Sequence, residues 1–147
     1  MIVNAEGHVL GRLLTYVAKK ALLGEEVIVL NAEKTLISGK KDEIFDRYSK
    51  KLEIKNLGNY TKGPFHEKRP DKMIRKALRG MLPWKKTRGR EAYKRVMVYI
   101  GTPKEEIKVR HNIDIEKTKI EDLKKIKRDI SHYVTVGEVC KFIGGKW

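Results

Sequence analysis

The sequence LGRLLTYVAKKALLGEEVIVL, residues 10–30, carries the strongest structural signal in this chain. Its apolar residues recur with a period of 3.6 and predict a helix whose apolar face holds Leu10, Leu13, Leu14, Val17, Ala18, Ala21 and Leu22. Gly24 stands where a left-handed residue usually ends a helix. Residues 27–30 form a continuous apolar run, typical of a strand covered on both faces of a parallel sheet. With the apolar residues 1–3 as a first strand, a strand, a helix and a second strand begin an α/β fold with a right-handed crossover.

The rest of the chain adds weaker elements. The predicted elements are a short apolar stretch at 35–37 closed by Ser38-Gly39, a second helix over 41–52, a long loop over 55–68, a third helix from Pro70 to just before Pro83, a strand over 96–100, a Lys-rich segment over 117–128 and a short amphipathic helix around Val136, Val139, Cys140 and Ile143. The third helix has an apolar face formed by Met73, Ile74, Ala77, Leu78 and Met81. A chain of 147 residues predicts one domain, residues 1–147.

The charge of the chain points to a polyanionic partner. The net charge is +15 and the sequence pI is about 9.9, which favours nucleic acid or an anionic membrane surface. Residues 62–95 hold 13 Lys and Arg against 3 Asp and Glu, a net +10. A membrane is the weaker alternative because no apolar run approaches the roughly 20 residues of a spanning helix. The N-terminus, MIVNAEGH, has no signal-peptide pattern, so we expect a cytoplasmic protein.

Sequence motifs for catalysis or metal binding are missing. The chain has one cysteine, Cys140, on an apolar helical face that favours the core, and four histidines scattered at positions 8, 66, 111 and 132. Ser38-Gly39-Lys40-Lys41 faintly resembles a phosphate loop, but that motif needs Gly at 34 and Ser or Thr at 41, where Lys34 and Lys41 stand. We therefore predict no enzyme, no cofactor, no metal and no small-molecule substrate.

The basic middle of the chain is the candidate binding surface. Its cations are Lys62, Lys68 and Arg69 in the loop, Lys72, Arg75, Lys76 and Arg79 on the outer stripe of the third helix, and Lys85, Lys86, Arg88 and Arg90 around Trp84. A single basic stripe is more often a solvated face. Basic loops with glycines and planar side chains beside that stripe favour RNA, whose phosphates attract cations and whose exposed bases stack. Trp84 has two possible roles, stacking on RNA or folding back onto the core.

Four segments carry a resemblance to a known family. They are RGMLPWKKTRGREAYKRVMVYIG (79–101), LGRLLTYVAKKALLG (10–24), VLNAEKTLISGKK (29–41) and KGPFHEKRP (62–70). In this order they resemble the universal thirteenth family of large-subunit ribosomal proteins, of the archaeal and eukaryotic type. The ending TVGEVCKFIGG (135–145) is most similar to archaeal members. The resemblance covers residues 1–105, and residues 106–147 would be a C-terminal extension packed on that core.

The resemblance implies a fold, a partner and a set of contacts. The fold would be a three-layer α/β/α arrangement with a small, mostly parallel four-stranded central sheet and basic loop and helix extensions. The protein would bind large-subunit ribosomal RNA beside neighbouring ribosomal proteins, in the cytoplasm, and support early assembly of the subunit. The RNA-facing residues would be Ser38, Gly39, Lys40, Lys41, Lys62, Gly63, Pro64, His66, Arg79, Gly80, Lys85, Lys86, Arg88, Gly89 and Arg90. For Gly11 and Arg12, helix packing with a surface cation is as well founded as an RNA contact.

Two other functions stay open on the sequence. An RNA-modifying or nucleotide-dependent enzyme on an α/β scaffold would need a cofactor loop or a buried titratable cluster. A free translational regulator would use the same basic surface on messenger RNA and would be found mostly outside ribosomes.

Overall fold

The computed structural model describes residues 1–115, 118, 120, 121, 123 and 130–147. Its strands are β1 (Ile2–Asn4), β2 (Val27–Leu30), β3 (Leu36–Ser38), β4 (Val96–Val98), β5 (Ile120–Glu121) and β6 (Tyr133–Thr135). Its helices are α1 (Leu10–Leu22), α2 (Lys41–Glu53), α3 (Pro70–Met81), α4 (Thr87–Lys94), α5 (Lys104–His111) and α6 (Val136–Phe142), with 3₁₀ turns at Ala32–Lys34 and Tyr60–Lys62. Most of the Lys-rich segment 117–128 lies outside the described residues.

The strands form two small sheets. One has the order β4-β2-β1-β5, and each of its pairings is parallel. The register places Ile2 opposite Ile28, and Val27 opposite Val96. In the other sheet β3 and β6 pair antiparallel. The predicted mixed α/β fold with a small, mostly parallel sheet is therefore confirmed.

The strand β2 is buried on both faces, which explains its uninterrupted apolar sequence. Val27 and Val29 belong to a core cluster with residues of α1, α3 and α6. Ile28 and Leu30 belong to a second cluster that contains Ile107 of α5. Successive side chains of a strand point to opposite faces, so each face needs its own apolar cover.

The helix α1 and its ending agree with the sequence analysis. Leu13, Leu14, Val17, Ala18 and Ala21 are buried, and Gly24 has φ +102°. The left-handed conformation after a helix has no steric cost for glycine, because glycine has no Cβ to clash with the preceding carbonyl. The predicted second and third helices and the short last helix are also present, and Pro70 stands in the first turn of α3.

Several predictions differ from the structure. The strand predicted over 96–100 ends at Val98, and Met81, assigned to the apolar face of α3, is 42% exposed. Met81 is the last residue of its helix and lines a surface groove with Leu22 and Leu23 instead of entering the core. The sequence analysis also missed α4, α5, β5 and β6. β5 and β6 have two and three residues, and the eight-residue helices α4 and α5 bury only two residues and one residue, so none of them shows a clear periodic pattern.

Candidate nucleic-acid interface

The first predicted loop, residues 38–41, is held between β3 and α2. Gly39 has φ +134°, a conformation that favours glycine, and its N–H donates to the carbonyl of His132 at 3.0 Å. Ser38, Lys40 and Lys41 are exposed. The N-terminus of α2 attracts anions through its free N–H groups, but Asp42 and Glu43 lie in its first turn and weaken that attraction. Phosphate binding here would depend on the two lysines.

The second predicted loop, residues 62–69, lies against α3. Lys62, Pro64, Lys68 and Arg69 are exposed, and Gly63 and His66 are half-buried. The Nζ of Lys76 on α3 donates to the carbonyl of Phe65 at 2.8 Å. The loop also contacts the end of the chain, because a Cβ at Gly145 would overlap the carbonyl of Lys68. Contacts from both sides therefore fix the position of this loop.

The four cations of α3 do not form one uniform solvated stripe. Lys72 is exposed, and Lys76 bonds the second loop. The guanidinium of Arg75 is half-buried and stacks on the ring of Tyr93, with its Cζ 4.7 Å from the ring centroid. Arg79 stacks on the ring of Trp84 at 4.4 Å. Arginine favours such stacking because its guanidinium is planar and weakly hydrated, so two of the four cations have restricted positions.

The indole of Trp84 packs within the protein. Its ring meets that of Tyr93 edge to face, with centroids 5.1 Å apart and an interplanar angle of 87°. Arg79 covers one of its faces, and the side chain as a whole is half-buried. Of the two roles left open by the sequence, this geometry favours packing. The indole then acts as a support that orients Arg79.

The remaining basic residues surround α4. Lys85, Lys86, Arg88 and Arg90 are exposed. The guanidinium of Arg88 donates to the carbonyl of Leu22 at 3.4 Å, and that of the half-buried Arg95 to the carbonyl of Ala21 at 3.4 Å. Carbonyls at the end of a helix lack partners within it and attract cations. The C-terminus of α1 therefore helps to position α4.

Three glycines near this surface have different surroundings. Gly89 is buried in α4, and a Cβ there would overlap the carbonyl of Pro83. It therefore has a packing role, because α4 lies closely on the turn before it, and its predicted contact with RNA stays a prediction. Gly80 and Gly11 are exposed, with nothing within 4 Å of an added Cβ. Helix packing thus gives no reason for the glycine at 11, contrary to one of its two predicted roles.

Two residues that the sequence analysis did not select also lie on this surface. Arg110 of α5 lines a crevice of about 350 Å³ at the carboxyl end of β4, together with Arg69, Lys72 and Arg75. Ligands of open α/β sheets usually bind outside this edge. Phe65, between two predicted contacts, is 71% exposed. An aromatic residue inside a basic loop was the available signal for Phe65, whereas Arg110 had none because α5 was not predicted.

The positive charge of residues 62–95 is largely unneutralised within the protein. Of its 13 basic residues, all inside the described part of the chain, only Arg69 and Arg95 have a carboxylate oxygen within 4.0 Å. Asp71 is the partner of Arg69 at 3.3 Å, and Glu91 that of Arg95 at 3.9 Å. Repulsion among the other cations opposes folding of the isolated chain, and a polyanion would relieve it. Across the described ranges, no group of three or more His, Cys, Asp or Glu could hold a metal ion.

Relatives of known identity complete this description. Residues 1–105 match the model of a family described as Ribosomal protein L13. The chain belongs to the ribosomal protein L13 family. It is 41% identical over 143 residues to "Large ribosomal subunit protein uL13" of Archaeoglobus fulgidus, covering 97% of this chain and 86% of that protein. It is 42% identical to the protein of the same name from Methanocaldococcus jannaschii, covering 99% and 98%. The predicted likeness to archaeal members is thus confirmed.

The end of the chain lies beyond the matched L13 family segment but supports both candidate loops. β6 pairs with β3, which leads into the first loop. The ring of Phe142 stacks on that of Phe45 in α2, with centroids 4.4 Å apart. Gly145 packs on the second loop at Lys68. The alignments with the L13 relatives run over 97–99% of the chain, so they include this support.

Cys140 of this L13 family member is expected to resist thiol reagents while the protein is folded. Its side chain is buried beside Met73, with the two sulfurs 3.4 Å apart. Burial, with a smaller effect of Asp71, raises the pKa of the Cys140 thiol to about 12, so the reactive thiolate is scarce at pH 8. Modification by a disulfide reagent at pH 8 should be slow in buffer and fast in denaturant. Equal rates in both would contradict the core position.

Proposed function

We propose that the chain is a non-catalytic structural constituent of the large ribosomal subunit that binds large-subunit ribosomal RNA through its basic surface. This surface consists of the loops 38–41 and 62–69, the outer side of α3 and the residues around α4. The observation that carries the proposal is that 2 of the 13 cations in residues 62–95 have a carboxylate partner. Membership of a ribosomal protein family supports ribosomal RNA as the polyanion.

Binding is proposed to combine phosphate attraction with recognition of RNA shape. Exposed Lys40, Lys85 and Lys86 would meet phosphates without reading bases. Arg75 and Arg79 are held on aromatic rings, so less of their side-chain freedom is lost when they contact RNA. Cations on three separate parts of the fold, the first loop, α3 and the turn before α4, would match one RNA surface better than another. Specificity would then come mainly from the folded shape of the RNA.

A rigid platform is proposed beneath this surface. The two separate core clusters support a three-layer α/β/α arrangement around a central four-stranded sheet. They also support a single domain, residues 1–147, in which the extension 106–147 packs on the core 1–105. Such a platform fits a role in early assembly, since it can present its basic loops before other proteins arrive. Neighbouring large-subunit proteins would then join the assembly around it.

Binding to RNA across a salt series tests the proposal. If about eight cations meet phosphates, log affinity should fall with log salt concentration at a slope near −6, using roughly 0.7 per contact with unpaired RNA. The chain is titrated with deproteinised large-subunit ribosomal RNA and with an unrelated folded RNA of similar length. We expect a preference for the ribosomal RNA that persists as salt rises. Equal binding at every salt concentration would contradict the proposed function.

A further inference from the structure

Phe65 is an exposed aromatic side chain on an anchored backbone. Its side chain is 71% exposed, although phenylalanine is among the residues most often found inside proteins. Its carbonyl accepts a hydrogen bond of 2.8 Å from the Nζ of Lys76 on α3. Three residues further on, the backbone carbonyl of Lys68 packs on Gly145 near the end of the chain. The ring is therefore presented at a defined place and has little cover from the protein.

The described residues that line the groove beside Phe65 carry positive charge and no negative charge. The groove has a volume of about 400 Å³, and none of its nine lining residues is a carboxylate. That volume lies in the range of about 300–1,000 Å³ typical of small-ligand pockets. Lys55 and Lys68 supply its two cations. The Oδ1 of Asn56 already accepts from the N–H groups of Gly58 and Asn59 at 3.1 and 3.2 Å, so the amide NH₂ of Asn56 is the group left for a ligand.

These features together select one kind of occupant. An exposed ring offers a stacking face, and the side chains of Lys55, Asn56 and Lys68 offer hydrogen-bond donors. The groove therefore suits a planar, acceptor-rich ligand attached to negative charge. Trp84, the other aromatic candidate on this surface, has one face covered by Arg79 at 4.4 Å. Phe65 has the more accessible ring of the two.

We propose that Phe65 stacks on an unpaired nucleobase of large-subunit ribosomal RNA in this groove, with the adjoining phosphates near Lys55 and Lys68. The inference rests on the proposed function and adds a base contact to a surface otherwise made of phosphate contacts. Stacking accepts any base, because every base has a π face. The contact would thus mark where the RNA is single-stranded rather than which base is there.

Four variants test this stacking. The first three are Phe65→Ala, Phe65→Leu and Phe65→Tyr, and the control is Leu57→Ala, which removes a fully exposed apolar side chain from the same connection between α2 and α3. Their affinities for deproteinised large-subunit ribosomal RNA, and for the unrelated folded RNA, are measured across the same salt series. Loss of one stacked base predicts about a tenfold to hundredfold weaker binding for Phe65→Ala and Phe65→Leu. Phe65→Tyr and Leu57→Ala should stay within about twofold of the native chain.

The pattern of losses separates stacking from its alternatives. Native-like binding by Phe65→Leu would overturn the proposal, because an aliphatic side chain, which has no π face, would then be sufficient for binding. Native-like binding by Phe65→Ala would overturn it too. The salt slope of Phe65→Ala should equal that of the native chain, because no charge is removed. Thermal unfolding checks that all variants are folded, as expected for exposed positions.

The same experiment distinguishes this inference from the function on which it rests. A native chain that prefers ribosomal RNA, together with unaffected Phe65 variants, would remove the stacking and leave the ribosomal function intact. A native chain without that preference would remove both.

Discussion

Gly89→Ala is expected to destabilise the protein by about 3 kcal/mol, near the upper end of the usual range for overpacking. The added Cβ would overlap the backbone carbonyl of Pro83, and the backbone N of Trp84 lies 3.1 Å from the same position. Backbone atoms cannot rotate away as a flexible side chain can, so α4 itself must move. Urea unfolding followed by circular dichroism measures the loss as a lower midpoint at an unchanged slope.

Gly80→Ala is the matched control for this variant. Gly80 is also helical and only nine positions away, but it is exposed, with nothing within 4 Å of an added Cβ. Alanine there should stabilise the free chain by about 0.5–1 kcal/mol, because glycine inside a helix costs backbone entropy. A similar loss of stability in both variants would contradict the close packing of α4 on Pro83.

The second large effect is expected on RNA affinity. The triple variant Lys85→Glu, Lys86→Glu and Arg88→Glu should bind large-subunit ribosomal RNA on the order of a hundredfold more weakly, since three attractions become repulsions. Its salt slope should be smaller in magnitude by about 2, which is three contacts at roughly 0.7 each. Filter binding at several salt concentrations measures both quantities.

A matched triple variant controls for net charge. Arg47→Glu, Lys50→Glu and Lys141→Glu also replaces one arginine and two lysines, all exposed and all outside the proposed surface. It should keep most of the affinity and the native salt slope. If both triple variants lost affinity equally, binding would depend on total charge alone, and the proposed surface would be wrong.

The sequence was sufficient for the parts of the fold that local patterns encode. α1 was predicted because its apolar residues recur with a period of 3.6. β2 was predicted because its four residues form a continuous apolar run. β6 was missed because a three-residue strand is stabilised by its partner, β3, almost a hundred positions earlier. Met81 continues the apolar pattern of α3 but is 42% exposed, whereas the next residue, Leu82, is the one that enters the core.

The candidate site was predictable in composition more than in arrangement. The segregation of cations into residues 62–95 is visible in the sequence, and the family resemblance implied ribosomal RNA as their partner. Which of these cations are held in place depends on aromatic rings elsewhere in the chain, as the contact of Arg75 with the ring of Tyr93 shows. Gly80 and Gly89 are both glycines in the same segment of the sequence. Only the position of the Pro83 carbonyl separates a surface glycine from a packing one.

Lysine footprinting tests the central claim most directly. The chain is treated with an amine-acetylating reagent, alone and bound to large-subunit ribosomal RNA, and the modified lysines are quantified by mass spectrometry. We expect RNA to protect Lys62, Lys68, Lys72, Lys85 and Lys86, while Lys50 and Lys141 react as in the free chain. Protection of Lys50 and Lys141 with continued reaction at Lys85 and Lys86 would place the RNA on another face and contradict the account.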